Sequence, residues 1–305
     1  MSLVNLACAI ADPAVMAVAA EFRRLDPDGR RMAKVFRSTF DQLYDGQHTG
    51  RYSVEQLFKT EKTHFGTLIE INLQRELNLA DGSVLDFMIA GYEVDCKYSH
   101  TGAWMLPIES FDQVVLVTQA NDRRSVWSAG VVRASQENRR VGENRDRKTG
   151  LNVRGRSEIV WLFKDAQMQP NALLQLPPSE VYKIMSGRSG QARVNELFRR
   201  ATNKRLSRNI IATVAQQDDY MKRVRYNGGS RSALRPEGYL ILGGDYLNQR
   251  NLAAALGAVV PAPGELVSVR VTRADPEEGV DIDGERWRLA VQNEQVDSPA
   301  PLLPK

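Results

Sequence analysis

The sequence predicts an α/β (α+β) protein of two domains, a mixed sheet with helices followed by a helical region with a short hairpin. At 305 residues the chain is longer than one average domain. Apolar content of 42% and charged content of 26% are ordinary for a globular protein with a core. Strand-like segments end near residue 163 and helical periodicity dominates later. We therefore place domains at 1–163 and 172–305, joined by a linker at 164–171.

The first part of the chain is predicted to be helical. The apolar start from Leu3 to Ala20 lacks a basic n-region and contains Asp12–Pro13, which indicates a broken helix. We expect neither a signal peptide nor a membrane span there, and hence a cytoplasmic protein with no membrane contact. The expected helical segments are 14–45, broken at Asp26–Gly29, and 53–78, interrupted near Gly66.

Strands follow the helices. A hairpin around Ala90–Gly91 comes first, and then three apolar segments complete a mixed sheet: Gln113–Ala120, Trp127–Val132 and Ser157–Phe163. Between the last two lies a long, basic, glycine-punctuated segment, 134–155. Long loops inside compact domains are usually functional or disordered.

Two aspartates are predicted to oppose each other across the hairpin. Symmetric pairing about Ala90–Gly91 puts Asp86 opposite Asp95, with Lys97 on the same polar face. The apolar residues all fall on the other face: Leu85, Phe87, Ile89, Tyr92, Val94 and Cys96. Like charges directly opposed destabilise a sheet, so a cation is expected between them.

This pattern predicts metal-dependent phosphodiester cleavage. Mg²⁺ prefers oxygen ligands and keeps several waters, so Asp86 and Asp95 would suffice as its main ligands. Glu70, on the preceding helix, could add a third carboxylate directly or through water. Lys97 could orient or deprotonate the attacking water, or offset charge on the phosphate. Glu93 is a reserve ligand, and the alternative for the whole motif is a solvated strand face.

The distribution of charge and the cysteine content indicate the kind of partner and exclude two kinds of site. Segment 188–235 holds twelve Lys or Arg against three acidic residues, and segment 133–156 holds eight against three. Such clusters favour nucleic acid as partner, the alternative being ordinary solvated faces. Cys8 and Cys96, with three histidines, cannot build a zinc or disulfide framework.

A helix-turn-helix pattern begins after the linker. We expect helices at Pro177–Ser186, Gly190–Ala201 and Arg208–Gln216, then strands at Tyr220–Tyr226 and Tyr239–Leu242 around a basic turn. Ser207 is the expected N-cap of the last helix. In this motif the second helix enters the major groove by its N-terminal end, here Ser207, Arg208 and Asn209. The alternative is a helical hairpin that packs without any DNA role.

These motifs resemble the NaeI family of type II restriction endonucleases. Alongside Glu70, Asp86, Asp95 and Lys97, the likeness is carried by FDQLYDGQHTGRY, EKTHFGTLIEINLQRE, IAGYEVDCKYS, SGQARVNELFRRAT and AQQDDYMKRVRYNGG, and spans about residues 36–244. The resemblance implies a homodimer with an N-terminal PD-(D/E)xK endonuclease domain and a C-terminal winged, catabolite-activator-like helix-turn-helix domain. The motif usually begins Pro-Asp, whereas this chain has Leu85–Asp86; the proline carries no ligand.

The family also implies a substrate and partners. Such enzymes require Mg²⁺ and engage two copies of a palindrome, GCCGGC, one cleaved and one acting as an allosteric effector. A cognate DNA methyltransferase is expected in the same system. From position and charge, the expected DNA contacts in the first domain are Asn138, Arg139, Arg140, Arg145, Arg147 and Lys148. Those in the second are Gln191, Arg193, Ser207, Arg208, Asn209, Lys222 and Arg223.

Two other functions stay open from sequence. A non-catalytic winged-helix regulator would explain the second domain but leaves Asp86, Asp95 and Lys97 without a purpose. A structure-selective repair nuclease would use the same metal site while ignoring sequence.

Overall fold

A computed structural model describes residues 12–142 and 144–303. The expected apolar segment from Leu3 therefore lies, up to residue 11, outside the described residues. The described chain divides into two compact units. Unit 1 is formed by residues 12–43 and 58–169, and unit 2 by residues 44–57 and 170–303.

The described residues form ten α-helices and thirteen strands. The α-helices are α1 (Pro13–Leu25), α2 (Arg30–Tyr44), α3 (Gly46–Thr49), α4 (Lys59–Leu77), α5 (Val153–Ser157), α6 (Pro178–Met185), α7 (Gly190–Arg200), α8 (Arg208–Ala215), α9 (Ser230–Ala233) and α10 (Leu247–Ala255). The strands are β1 (Ala80–Asp81), β2 (Phe87–Ile89), β3 (Tyr92–Tyr98), β4 (Met105–Leu106), β5 (Val114–Asn121), β6 (Val126–Arg133), β7 (Thr149–Gly150), β8 (Val160–Gln167), β9 (Leu206–Ser207), β10 (Tyr239–Gly243), β11 (Glu265–Arg273), β12 (Val280–Ile282) and β13 (Glu285–Leu289).

Unit 1 is built on a mixed sheet with strand order β1-β2-β3-β5-β6-β8. β3 and β5 are parallel, and the other neighbours are antiparallel. β5 is buried on both faces, which explains its continuous apolar run. Val115 and Val117 face a cluster with Trp104 and Leu106. This confirms the mixed α/β character predicted from the sequence.

The first helices break where the sequence indicates. α1 ends at Leu25 and α2 starts at Arg30, because Asp26 turns back to accept hydrogen bonds from the amides of Arg31 and Met32. Gly29, at φ 73°, supplies the left-handed conformation that this turn requires. Phe36 of α2 then packs on Trp127 of β6, with ring centroids 5.1 Å apart.

Asp12 fixes the start of α1. Its Oδ1 accepts from the amides of Ala14 and Val15, and its carboxylate pairs with Arg133 of β6. We expect Asp12→Ala to lower the free energy of unfolding by about 1–2 kcal/mol, the sum of a lost N-cap and a partly exposed ion pair. Asp146→Ala, at an exposed loop carboxylate, is the matched control. Chemical denaturation measures both, and equal midpoints for the two variants would contradict this role.

The contribution of Asp12 to the free energy of unfolding is expected to depend on pH. The hydrogen bond from Arg133 lowers the pKa of Asp12 below its usual 3.8, although burial opposes this. A carboxyl with a lowered folded-state pKa stabilises the fold above its unfolded pKa and loses that contribution as pH falls through the folded value. The difference between wild type and Asp12→Ala is therefore expected to shrink below about pH 4.

Unit 2 combines a helical cluster with a second sheet. α6, α7 and α8 pack around Val194, Phe198 and Ile211. The sheet has the order β10-β11-β13-β12, and the short β9 also pairs with β11. The β12–β13 hairpin turns at Asp283–Gly284, both with positive φ, as the Asp-Gly dipeptide favours.

The structure differs from the sequence-based expectations at four points. α4 runs through Gly66 without a break, since Phe65 and Ile69 on either side are both fully buried against the core. Tyr220–Val224 is a 3₁₀ helix, not a strand. β10 pairs instead with β11, which comes more than twenty residues later in the chain. β8 continues to Gln167, into the segment expected to be a linker.

No helix in the described part of the chain is long and apolar enough to cross a membrane.

Candidate active site

Asp86 and Asp95 lie side by side at the end of the β2–β3 ladder. The ladder pairs Phe87 with Val94, and Asp86, one residue before β2, continues this register opposite Asp95. Asp86 Oδ2 accepts a hydrogen bond from the amide of Cys96 at 2.6 Å. The register is therefore the one predicted from the alternation of apolar residues.

Lys97 supplies the cation between the two carboxylates. Its Nζ lies 2.5 Å from Asp95 Oδ1 and 3.9 Å from Asp86 Oδ2. Burial lowers the pKa of Lys97, but Asp95 and Asp86 together outweigh burial and leave that pKa raised. Burial raises the pKa of Asp86, against the hydrogen bond from Cys96 and the charge of Lys97. The carboxylates of both aspartates thus lie near the same ammonium group, Lys97 Nζ.

Ser110 holds the second oxygen of Asp95. Its Oγ donates to Asp95 Oδ2 at 2.5 Å, and both residues are buried. Ser110 lies in a 3₁₀ turn just before β5, the strand that pairs in parallel with β3. Sequence reasoning missed this residue, because nothing near Ser110 in the sequence indicates that it meets Asp95.

Glu70 approaches the same centre from α4. Ile69 and Leu73 anchor this helix in the core, and α4 packs on β3. Glu70 is half-buried, and burial raises the pKa of its carboxyl, which the charges of Asp86 and Asp95 raise further and Lys97 lowers. The pKa of Glu70 is therefore influenced by the charges of the other three predicted groups.

Glu93, on the same strand face, binds the backbone of the preceding loop. It accepts hydrogen bonds from the amides of Ser83 at 2.6 Å and Leu85 at 2.9 Å. These bonds lower the pKa of Glu93, although burial opposes them. Glu93 thus holds the loop that leads into Asp86, and its oxygens are engaged there.

The carboxylates suit a hard divalent cation. In the described part of the chain no three Asp, Glu, His or Cys side chains are grouped tightly enough to hold a metal ion alone. Mg²⁺, however, is commonly bound by one or two carboxylates together with waters and phosphate oxygens. Asp86 and Asp95 already point oxygens at a single cation, Lys97 Nζ. Two carboxylates whose oxygens lie near one cation are the kind of donor set that fits Mg²⁺.

The DNA-contact residues predicted in the first domain divide by exposure. Asn138 is buried, and its amide donates to the carbonyl of Arg133. Arg139 is held over the Phe111 ring, 3.8 Å from its centroid, and donates to Ala134 O. The remaining four are exposed on one hairpin-like loop closed by the Arg139–Leu151 bridge: Arg140, Arg145, Arg147 and Lys148.

In unit 2 several of the predicted residues serve the fold. Gln191 donates to Asn195, Arg223 O and Ser230. Arg193 donates to the carbonyls of Val214 and Ala215, and so caps the end of α8. These contacts engage the side chains of Gln191 and Arg193 within the unit.

The remaining predicted residues lie at helix ends. Ser207 caps α8 by accepting from the amide of Ile210, which confirms the predicted N-cap. Arg208 is exposed and pairs with Asp245 at 2.9 Å, and Asn209 is partly exposed beside it. Lys222 and Arg223 both pair with Asp219.

Comparison with known proteins identifies the class of protein to which this site belongs. The family profile described as "Restriction endonuclease NaeI" matches residues 16–298. The chain is 48% identical over 299 residues to the type II restriction enzyme NaeI of Lentzea aerocolonigenes, covering 94% of this chain and 93% of that protein. The protein is thus a type II restriction enzyme, a site-specific deoxyribonuclease. In particular, the chain belongs to the NaeI restriction endonuclease family.

Proposed function

We propose that the chain makes Mg²⁺-dependent double-strand cuts in DNA at the palindrome GCCGGC. The observation that carries this proposal is the Asp86–Asp95–Lys97 cluster on one strand pair, in a chain 48% identical to a type II restriction enzyme. Two neighbouring carboxylates that can hold a metal ion, with a lysine beside them, are what metal-assisted phosphodiester hydrolysis needs.

Each residue has a role in this reaction. Asp86 and Asp95 would hold the metal, with Ser110 keeping Asp95 in position through its 2.5 Å hydrogen bond. Mg²⁺, when bound, supplies charge stabilisation at the phosphate and favours ionisation of water. Lys97 would contact the scissile phosphate or the attacking water, and Glu70 would bind a water at the outer edge. Glu93 would keep the loop before Asp86 in place.

DNA contacts in the first domain are proposed for the loop from Arg140 to Thr149. Arg140, Arg145, Arg147 and Lys148 are exposed there, and Asn144 orders the loop by accepting from the amides of Asp146 and Lys148. Exposed cations on an ordered loop suit phosphate contacts, which orient a nuclease on the duplex. Asn138 and Arg139 would support the base of this loop.

Assembly and activation are also proposed. The active form would be a homodimer, because a palindrome is matched by two-fold symmetry. Residues 1–163 would form a PD-(D/E)xK domain and residues 172–305 a winged helix-turn-helix domain that binds effector DNA. Ser207, Arg208 and Asn209, with Lys222 and Arg223, offer polar and cationic groups for that contact. A cognate methyltransferase would protect host DNA.

Plasmids with different numbers of target sites test this proposal. With Mg²⁺, we expect fragments that map to GCCGGC, slow cleavage of a one-site plasmid, and faster cleavage when a short GCCGGC duplex is added. A duplex of the same composition with a scrambled site is the control. Cleavage at other sequences would contradict the target, and equal rates with both duplexes would contradict effector activation.

A further inference from the structure

Arg231 of unit 2 is a partly buried cation without a carboxylate partner in the described structure. Its Nε is buried and meets no hydrogen-bond partner among the described residues. Its Nη2 donates to Gln249 Oε1 at 3.3 Å, an oxygen that also accepts from the amide of Gly243 at 2.7 Å. Burial lowers the pKa of Arg231, with Tyr226 and Tyr246 acting in the opposite direction. Burying an unpaired charge is costly, so an anionic ligand would offset a real penalty.

A cavity of about 330 Å³ lies beside Arg231. Arg208 and Arg225 also line it, and Asp245 is the acidic residue among its lining. Asp245 is already engaged, pairing with Arg208 at 2.9 Å and accepting from the amide of Gly264 at 2.7 Å. Three arginines therefore line this cavity, and the carboxylate of Asp245 already pairs with one of them, Arg208.

The backbone around the cavity fits an anion as well. Tyr246 lines the cavity and immediately precedes α10, so the positive end of that helix lies at its edge. Gly243 also lines it, and a Cβ there would lie 3.3 Å from Arg231 Nη2. A side chain at 243 would therefore crowd the guanidinium.

The helix expected to read DNA exposes few side chains beyond its first two residues. Residues Ile210–Ala215, six of the eight in α8, are all buried. Ser207 is committed to capping this helix. α8 therefore exposes little beyond Arg208 and Asn209, and Arg208 lies on the cavity.

We propose that this cavity binds a phosphate group, held by Arg231 and Arg225 and bordered by Arg208. Guanidinium groups bind phosphate oxygens in bidentate fashion, which suits a site with several of them. The phosphate comes from the backbone of the duplex bound by unit 2, so this assignment of its source rests on the proposed function. A free phosphate would satisfy the same chemistry.

The test measures duplex binding in EDTA as a function of salt. The full chain is compared with Arg231→Gln, and with Arg286→Gln, which removes a charge of unit 2 that does not line the cavity. Fluorescence anisotropy with a labelled GCCGGC duplex over a range of NaCl concentrations gives the salt slope. We expect Arg231→Gln to reduce that slope by about 0.9 and Arg286→Gln to leave it unchanged. Arg231→Lys, which keeps the charge, is expected to restore most of the slope.

Thermal melting with inorganic phosphate separates the two sources. A phosphate-dependent rise in Tm that Arg231→Gln abolishes, together with the reduced slope, supports a DNA phosphate in the cavity. The same loss of the Tm rise with an unchanged slope supports the phosphate site and overturns DNA as its source. If a folded Arg231→Gln variant shows neither the reduced slope nor the lost Tm rise, the proposal is overturned. If Arg231→Gln does not fold, Arg225→Gln, at an exposed residue, replaces it in both measurements.

Failure of this inference is distinct from failure of the proposed function. Specific plasmid cleavage by the wild-type chain, with both the salt slope and the phosphate-dependent Tm rise unaltered in Arg231→Gln, removes only the phosphate site. Absence of specific cleavage by the wild-type chain removes the proposed function, whatever the cavity binds.

Discussion

Asp95→Asn is expected to lower the rate of DNA cleavage by at least about 10³-fold while leaving the fold and DNA binding intact. The substitution removes the charge that faces Lys97 Nζ at 2.5 Å, yet an amide oxygen still accepts from Ser110. Loss of a metal-holding carboxylate affects the transition state directly, whereas the buried packing changes little. Single-turnover cleavage of a GCCGGC duplex, with melting temperature and gel-shift affinity measured in parallel, checks this result.

Glu93→Gln is the matched control for Asp95→Asn. Glu93 lies on the same strand face two residues earlier, but its Oε1 accepts from the amide of Ser83 and its Oε2 from the amide of Leu85, and a glutamine oxygen keeps one of these two bonds. We expect it to keep cleavage within about tenfold of wild type, since it holds a loop and not the metal. Equal losses in the two variants would show that Glu93, the reserve ligand, belongs to the metal site.

Asp122→Ala is expected to lower the free energy of unfolding of unit 1 by about 3 kcal/mol. Asp122 lies in the turn between β5 and β6 and pairs with Arg37 of α2, with Nη1–Oδ1 at 2.5 Å and Nη2–Oδ2 at 3.3 Å. Both side chains are under a tenth exposed. Removing one partner leaves a buried charge less well compensated, and this penalty exceeds the value of the pair itself.

Two further variants separate the charge effect from packing. Asp41→Ala removes the outer partner of Arg37, a carboxylate that is 22% exposed, so we expect a loss of about 1 kcal/mol or less. Arg37→Met combined with Asp122→Leu removes both buried charges and is expected to recover most of the stability lost in Asp122→Ala. Denaturation followed by tryptophan fluorescence measures all three. Equal midpoints for Asp122→Ala and Asp41→Ala would contradict a buried, asymmetric network.

Much of the site could be predicted because its information is local. Asp86, Asp95 and Lys97 lie within twelve residues, and apolar alternation alone fixes which face each occupies. The Phe87–Val94 pairing bears out that register. Ser207 was likewise predictable, since an N-cap acts within three residues of its own position.

Non-local contacts could not be read from the sequence in the same way. Ser110 meets Asp95 only because β5 pairs in parallel with β3. Tyr220–Tyr226 alternates like a strand, but Asp219 stabilises the 3₁₀ turn by pairing with Lys222 and Arg223. β10 pairs with β11, and α10 lies between them in the chain. The sequence therefore contains no short turn that would predict this strand pair.

One missed element did carry a local signal. Asp283–Gly284 is a strong turn dipeptide, and the flanking Val280–Ile282 and Glu285–Leu289 pair as the hairpin it favours. Arg231 differs from this element, because its lack of a carboxylate partner depends on tertiary contacts that the sequence does not show.

Cleavage of an end-labelled GCCGGC duplex by the wild-type chain, titrated with Mg²⁺ from an EDTA-treated start, tests the central claim most directly. We expect no cutting in EDTA, a rate that rises to saturation with Mg²⁺, and cuts at one position in each strand. Cutting that persists in EDTA, or that Asp95→Asn carries out at the wild-type rate, would contradict the claim that Asp86, Asp95 and Lys97 perform the reaction.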